Sequence, residues 1–366
     1  MKSDGKNQRY IILLLAAINV LVIIALIYGF RFAAAEKPVT AGCVLIGERA
    51  DNGWNESHYS GLVSACRKLK CNLLIKEHVA EEEEALETAV KELVSQGCSV
   101  IFLTSYGYGG FSASIARDYP DIAFFCISAG GEAKNLTTYF ARMYQARYLA
   151  GIAAGAQSKT GILGYVVAMP GAQADRAINA YALGMRLANP EAKLLVNFTG
   201  SWDDEDRERE AVRRLAAEGA DVITYHEDKP YAIDEAEKLG LYSTGYDAVY
   251  GEYSGKFLTA ALYDWNVVYT KVLGDYLSGR ANFSNHYWLG FADNAVDLYP
   301  FSDLVSVDTR KLIKEEKIRI QTYRDVFSGV IYDNKGNPVC GEDERIGDFE
   351  LYTEMGWYAE GVEIYE

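Results

Sequence analysis

Seven residues of this chain have the type and setting to grip a small molecule: Trp54, Asn55, Tyr106, Trp202, Asp228, Asp247 and Asp264. Trp54 and Asn55 lie in DNGWN, Tyr106 in the glycine-rich SYGYGGF (105 to 111) and Trp202 in SWDD, each just after an apolar run. An aromatic ring stacked on a base contributes roughly 1 to 3 kcal/mol. Stacking accepts any flat ring, so discrimination falls to polar groups. The Asn55 amide has a donor and an acceptor and can pair with a purine edge through two hydrogen bonds. An ionised carboxylate only accepts, so Asp247 would take an amine, a ring N–H or sugar hydroxyls. Together these residues suit capture of a planar, uncharged, hydrogen-bonding ring. Plainer readings stand beside this one. The two tryptophans could be core aromatics, Tyr106 is one of 27 tyrosines, and Asn55, Asp228 and Asp264 suit helix caps. Asp247, at the end of an apolar strand, is harder to explain that way.

Reaction chemistry is not visible. SYGYGGF has neither the GxGxxG spacing nor the Lys-Ser/Thr pair of phosphate loops and reads as a tight turn. There is no GxSxG elbow, no HExxH, no CxxC and no Cys/His spacing, and the four histidines are scattered, so neither a cofactor nor a metal is expected. The run Glu81 to Glu84 reads as the solvated first turn of a helix, where the dipole favours acids. A net charge of -15 argues against nucleic acid as a partner and disfavours anionic ligands.

The elements that must carry these residues alternate. GCVLIG (42 to 47), CNLLIK (71 to 76), SVIFLT (99 to 104) and IAFFCIS (122 to 128) read as buried parallel strands, with helices over 56–69, 82–96 and 110–119 between them. After a short link over 136–142 the pattern restarts. Helices are expected over 144–157, 173–188, 204–218 and 233–239, and strands over 161–167, 193–199, 221–225 and 241–246. Beyond Asp247, a strand over 256–262, a helix over 264–278 and a strand over 287–291 would carry the chain back and forth between two halves, making a hinge. The fold class is α/β, two doubly wound parallel-sheet lobes in tandem. Residues 40–140 plus 263–284 are assigned to the first lobe and 142–262 plus 286–366 to the second. At 366 residues and 49% hydrophobic, the chain has ample material for both.

Residues 1–38 read as a membrane anchor or signal segment. Ile11 to Phe30 is uncharged over about the length that spans a bilayer, preceded by Lys2, Lys6 and Arg9 and followed by Arg31. Its length favours a retained single-pass helix with the basic end inside and the rest of the chain outside the cytoplasm. Cys43 and Cys126 sit in strand-like runs, Cys66 on a helix and Cys98 just before a strand, so mostly free core thiols are expected.

DNGWNESHYSGL (51 to 62), YFARMYQARYLAGIAAG (139 to 155), INAYALGMR (178 to 186), SWDDEDRERE (201 to 210), EGADVITYHED (218 to 228), TGYD (244 to 247) and MGWYAEGVE (355 to 363) resemble the basic membrane protein family, the substrate-binding components of purine and nucleoside ABC importers. The resemblance runs from about residue 40 to the end. It implies a type I periplasmic-binding-protein fold, purine contacts from Trp54, Asn55, Tyr106, Trp202 and Asp247, and an ABC permease and ATPase as partners of a monomeric receptor. Two departures stand out. Nucleoside-binding members carry a ribose-reaching lysine where this chain reads Leu262, Tyr263, Asp264, Trp265, and a Phe is frequent where this chain has Trp54. Both favour a free base, such as adenine, over a nucleoside. No lipid-anchoring cysteine follows the apolar run, which leaves any tether to the N-terminal helix. The alternatives are a membrane-bound purine sensor that signals to a partner and, more remotely, a nucleoside-processing enzyme with Asp247 or Asp228 as its carboxylate.

Overall fold

Apolar runs that lose water from both faces form parallel strands in this protein, and their loops at the carboxyl ends face one another across the molecule. The structure is a computed structural model that describes residues 10, 13–23, 38–322 and 324–365. The first lobe holds β1 (Thr40–Val44), β2 (Asn72–Lys76), β3 (Cys98–Leu103), β4 (Ala123–Ile127) and β5 (Leu136–Ala141), with α1 (Trp54–Leu69), α2 (Glu83–Ser95) and α3 (Gly109–Asp118) between them. The second holds α4 (Met143–Gln157), β6 (Ile162–Val167), α5 (Ala172–Ala188), β7 (Lys193–Phe198), α6 (Glu205–Ala217), β8 (Val222–His226), α7 (Tyr231–Leu239), β9 (Tyr242–Asp247) and β10 (Phe257–Tyr263). The chain returns to the first lobe with α8 (Trp265–Leu277) and β11 (Tyr287–Leu289). It ends with β12 (Val296–Leu298), α9 (Val307–Thr322), the pair β13 (Ile331–Tyr332) and β14 (Pro338–Cys340), and β15 (Val362–Ile364).

The first sheet runs β11-β5-β4-β3-β1-β2 and is parallel throughout. The second runs β12-β10-β9-β8-β6-β7-β15, with β12 antiparallel at its edge. Each order reverses once, between β1 and β3 and between β6 and β8. The loops leaving those strands diverge there and open a crevice. The first core gathers Val44, Leu86, Val90, Leu93, Ile101 and Phe124, the second Leu163, Val167, Ile178, Tyr181, Met185 and Val196. Each such buried side chain contributes roughly 1.5 to 3 kcal/mol.

Glycine is required where α4 crosses α5. A Cβ at Gly184 would lie 1.9 Å from the Tyr148 carbonyl oxygen, and one at Gly151 2.2 Å from that of Tyr181. The two helices therefore pack backbone to backbone, which accounts for the small residues of YLAGIAAG.

Several expectations need correction. The link expected over 136–142 is strand β5, whose LTTYFA is buried along its whole length between β4 and β11. Its six residues were too few to show a period. β11 pairs with β5, so the segment 286–366 is not wholly part of the second lobe. Helix α9 has only Ile313 and Ile320 buried among charged residues, too sparse a stripe to announce itself. The chain crosses between lobes at 141–143, 263–265 and 289–296. All six cysteines are free.

The parts of the apolar run 11–30 outside 13–23 lie beyond the described residues. Residues 13–23 are helical, with Leu13, Leu14, Leu15, Ile18 and Leu21 all exposed. No helix among the described residues is long and apolar enough to cross a membrane. Residues 1–39 and 40–366 are separate units.

Candidate functional site

Trp54 opens α1, the helix that leaves β1, and the indole is held from several sides. Its Nε1–H donates to the Thr104 carbonyl oxygen at 2.8 Å. Its ring meets His58, Trp265 and Tyr263 edge-on at centroid distances of 4.3, 5.7 and 6.1 Å. Asp51 caps the start of this helix, its Oδ1 accepting from Gly53 N at 3.0 Å and Glu56 N at 3.0 Å. Trp202, in the loop after β7, meets His226 edge-on at 5.9 Å.

These two indoles line one cavity of about 90 Å³, together with Ile46, Glu81, Ser105, Tyr106, Gly107, Ile127, Ser128, Phe140, Gln173, Asp228 and Tyr246. The walls come from both lobes, and no Lys or Arg is among them. The cavity adjoins an outer cleft of about 570 Å³ through Tyr106, Ser128, Gln173 and Trp202, which line both. Across the seam, Trp54 N–H donates to the Asp228 carbonyl oxygen at 3.2 Å and Ser128 Oγ donates to Gln173 Oε1 at 3.3 Å, while within the second lobe Asp228 N–H donates to the Trp202 carbonyl oxygen at 2.9 Å. The approach at Gly53 is so close that a Cβ there would sit 2.1 Å from the Asp228 carbonyl oxygen.

The two carboxyls on the wall differ. Glu81 Oε1 accepts from Ser105 Oγ and from Gly107 N. The Asp228 carboxyl has no hydrogen-bond or ion-pair partner among the described residues. Burial, then the carboxylates of Asp203, Asp51, Asp247 and Glu81, push its pKa well up. Behind the Trp202 loop lie two more buried acids. Glu227 accepts from Thr199 Oγ1 at 2.9 Å, and Glu208 from Ala232 N at 3.2 Å. Desolvation raises them to about 10 and about 9, so both stay protonated at neutral pH. The floor is Tyr246, whose hydroxyl lies 3.2 Å from His226 Nε2, with the buried Arg147 guanidinium 4.1 Å from its ring centroid. Burial, then Arg147 and Arg176, hold the His226 imidazole neutral.

Of the seven residues chosen from sequence, Trp54, Tyr106, Trp202 and Asp228 meet at this cavity, and the other three do not. Asn55 is buried within α1, its Oδ1 accepting from Gly47 N at 3.1 Å and its Nδ2 donating to Asp51 Oδ2 at 2.8 Å. It is neither a wall residue nor the helix cap, because Asp51 already serves the N-terminal amides. Asp264 is exposed and caps α8 by accepting from Val267 N at 3.1 Å. Asp247 has left-handed backbone, φ 65°, and reaches from the second lobe into the first. Its Oδ1 accepts from Ser57 Oγ at 2.8 Å and from Trp265 Nε1 at 3.4 Å, while its buried Oδ2 has no partner. Desolvation pushes it up to about 7, against the hydrogen bonds from Ser57 and Trp265.

Sequence reasoning missed Glu81, Ser105, Ser128, Phe140, Gln173 and Tyr246. Gln173 had a usable signal, since MPGAQ follows β6, one of the two strands at the reversal of the second sheet. Glu81 did not, because an acidic run before a helix is ordinarily a solvated turn.

A sequence profile of the family described as ABC transporter substrate-binding protein PnrA-like matches residues 39–326. The chain belongs to that family. The family is one of extracytoplasmic substrate-binding proteins of ABC transporters, which take a small-molecule ligand and work with permease and ATPase subunits. A purine-binding protein of Brucella abortus is 30% identical over 93% of this chain and 99% of its own length. A candidate ABC transporter glucose-binding protein of Haloferax volcanii is 31% identical over 89% of this chain and 81% of its own. The fold matches a solved solute-binding protein of an ABC transporter system from Aeropyrum pernix, with TM-score 0.67 and 18% identity over 78% of this chain and 92% of that one.

Proposed function

We propose that this family member is the receptor of an importer for a purine base, adenine-like, or a purine nucleoside, held between its two lobes and tethered to the membrane by the apolar segment 11–30. One observation carries the reading: two indoles from opposite lobes, Trp54 and Trp202, line a cavity that also has polar groups, Asp228, Glu81, Ser105 and Gln173, and no cationic side chain. Closing such a cleft sandwiches the ring and dries its hydrogen bonds, which strengthens them. A sugar, when present, would occupy the outer cleft beyond Tyr106 and Gln173. The Brucella relative supports a purine, and the Haloferax relative makes glucose the rival ligand. The exposed apolar helix at 13–23 and the basic residues before it support the tether.

A thermal-shift screen of the full-length chain with adenine, guanine, hypoxanthine, their nucleosides and glucose tests this. A purine at a hundred times its Kd stabilises by about 2.7 kcal/mol, so a clear rise in Tm is expected for at least one purine. A shift with glucose and none with any purine overturns the ligand. Unchanged purine uptake in cells lacking the protein overturns the importer role.

A further inference from the structure

Asp228 is the one carboxyl on the cavity wall whose oxygens are free of protein partners. Its backbone is pinned on both sides, its N–H donating to the Trp202 carbonyl oxygen and its carbonyl accepting from Trp54 N–H, and it lines the same cavity as both indoles. The cavity gives it no cationic neighbour. The groups around it from each packed element are acids: Asp203 in the loop after β7, Asp51 before α1, Glu81 before α2 and Asp247 at the end of β9. The adjacent Lys229 is 2.9 Å from Asp203 and is engaged there. Behind it, Glu227 and Glu208 are themselves protonated.

We propose that Asp228 is the residue that selects the ligand, and that it does so as a neutral acid, one oxygen donating and the other accepting. The inference rests on the purine reading above. A charged carboxylate has only acceptors and fits two adjacent donors, such as the N1–H and the 2-amino group of guanine. A neutral carboxyl fits a donor beside an acceptor, the pattern of the adenine 6-amino group next to N1 or N7. A neutral acid therefore allows the site to take adenine or its nucleoside, which a charged carboxylate would repel at N1 or N7. The site also takes up a proton on closing, since an open, wet cleft lacks the burial that pushes the Asp228 carboxyl up in the closed one. The closed, liganded state holds the proton to higher pH than the open state, so affinity is highest at low pH and falls as pH rises, by about tenfold per unit for one proton. The amide of Asn has the same donor and acceptor as a neutral carboxyl and cannot titrate.

Titration calorimetry of the full-length chain with adenine, at pH 6 to 8 and in buffers of differing ionisation heat, tests it. Adenine is expected to bind with net uptake of a proton. Asp228→Asn is expected to bind adenine within about threefold of the parent at pH 6, taking up one proton fewer. Subtraction removes any proton taken up by Asp247, which both proteins retain. A loss of a hundredfold or more in folded Asp228→Asn, or an unchanged proton count, overturns the inference and leaves the purine reading intact. Should Asp228→Asn fail to fold, the parent alone decides: binding of adenine with no proton uptake overturns the inference. If no purine binds and glucose does, both readings fall together.

Discussion

The two walls of the cavity are built differently. In the first lobe, Trp54 is fixed by a hydrogen bond to Thr104 and by three aromatic edges, and Glu81 is satisfied by Ser105 and Gly107. In the second, the Trp202 ring is placed by the edge of His226 within a loop, and the Asp228 carboxyl has no described partner. The first lobe is a finished surface that needs no ligand to satisfy it. The second holds the group left for a ligand to complete, so the discrimination belongs there and the pre-organisation belongs to the first.

The seam between the walls should be the most sensitive point. Gly53→Ala puts a methyl group 2.1 Å from the Asp228 carbonyl oxygen, so the lobes cannot approach as they do here. Ligand affinity is expected to fall at least a hundredfold by calorimetry, with the Tm of the ligand-free protein little changed. Binding at the parental affinity would show that this approach is not needed.

Next come the two indoles, which sharpen the contrast. Each truncation to alanine removes one stacking face and is expected to cost roughly tenfold to a hundredfold in affinity. Trp54→Ala should also lower unfolding stability, on the order of 3 kcal/mol, because its ring is built into the packing of the first lobe. Trp202→Ala should leave stability nearly unchanged. Equal stability losses in urea titrations would erase the distinction between a wall packed on several sides and one that is not.

The smallest effect concerns Asp247, which ties the second lobe to Ser57 and Trp265 of the first. Its carboxyl is raised to about 7 in the structure, against about 3.9 when unfolded. A group raised in this way contributes stability in full below about pH 4, loses it as pH climbs to about 7, and changes no further above that. Asp247→Asn keeps the acceptor for Ser57 and removes the titration. Its stability profile between pH 4 and 7 is expected to be flatter than the parent's. A parallel profile would mean that Asp247 is not the titrating group.

Legibility in the sequence followed the range of the forces involved. The alternation of apolar strands and amphipathic helices was readable from Cys43 to Asp247 because burial acts on every second or every third to fourth residue of a contiguous run. β5 and α9 were not, one too short and the other too sparsely buried. Trp54, Tyr106 and Trp202, which line one cavity, stood out because large aromatics after a strand are conspicuous. Asn55 and Asp264 lie away from that cavity, and a polar residue near a helix start looks the same in sequence whether it faces a ligand, a backbone amide or a neighbouring loop.

What the residues determined on their own was which segments would be strands, which loops would stand at their carboxyl ends, and that those loops carry aromatics and acids rather than bases. Strand order, the pairing of β11 with β5 and the joining of Gln173, Asp228 and Glu81 around one cavity were decided only by the tertiary structure. The physical reason is distance along the chain. Side-chain chemistry and local periodicity are written within a few neighbouring residues, whereas the surroundings of Asp228 include Asp51 and Glu81, which reach it only after the two lobes have folded and met.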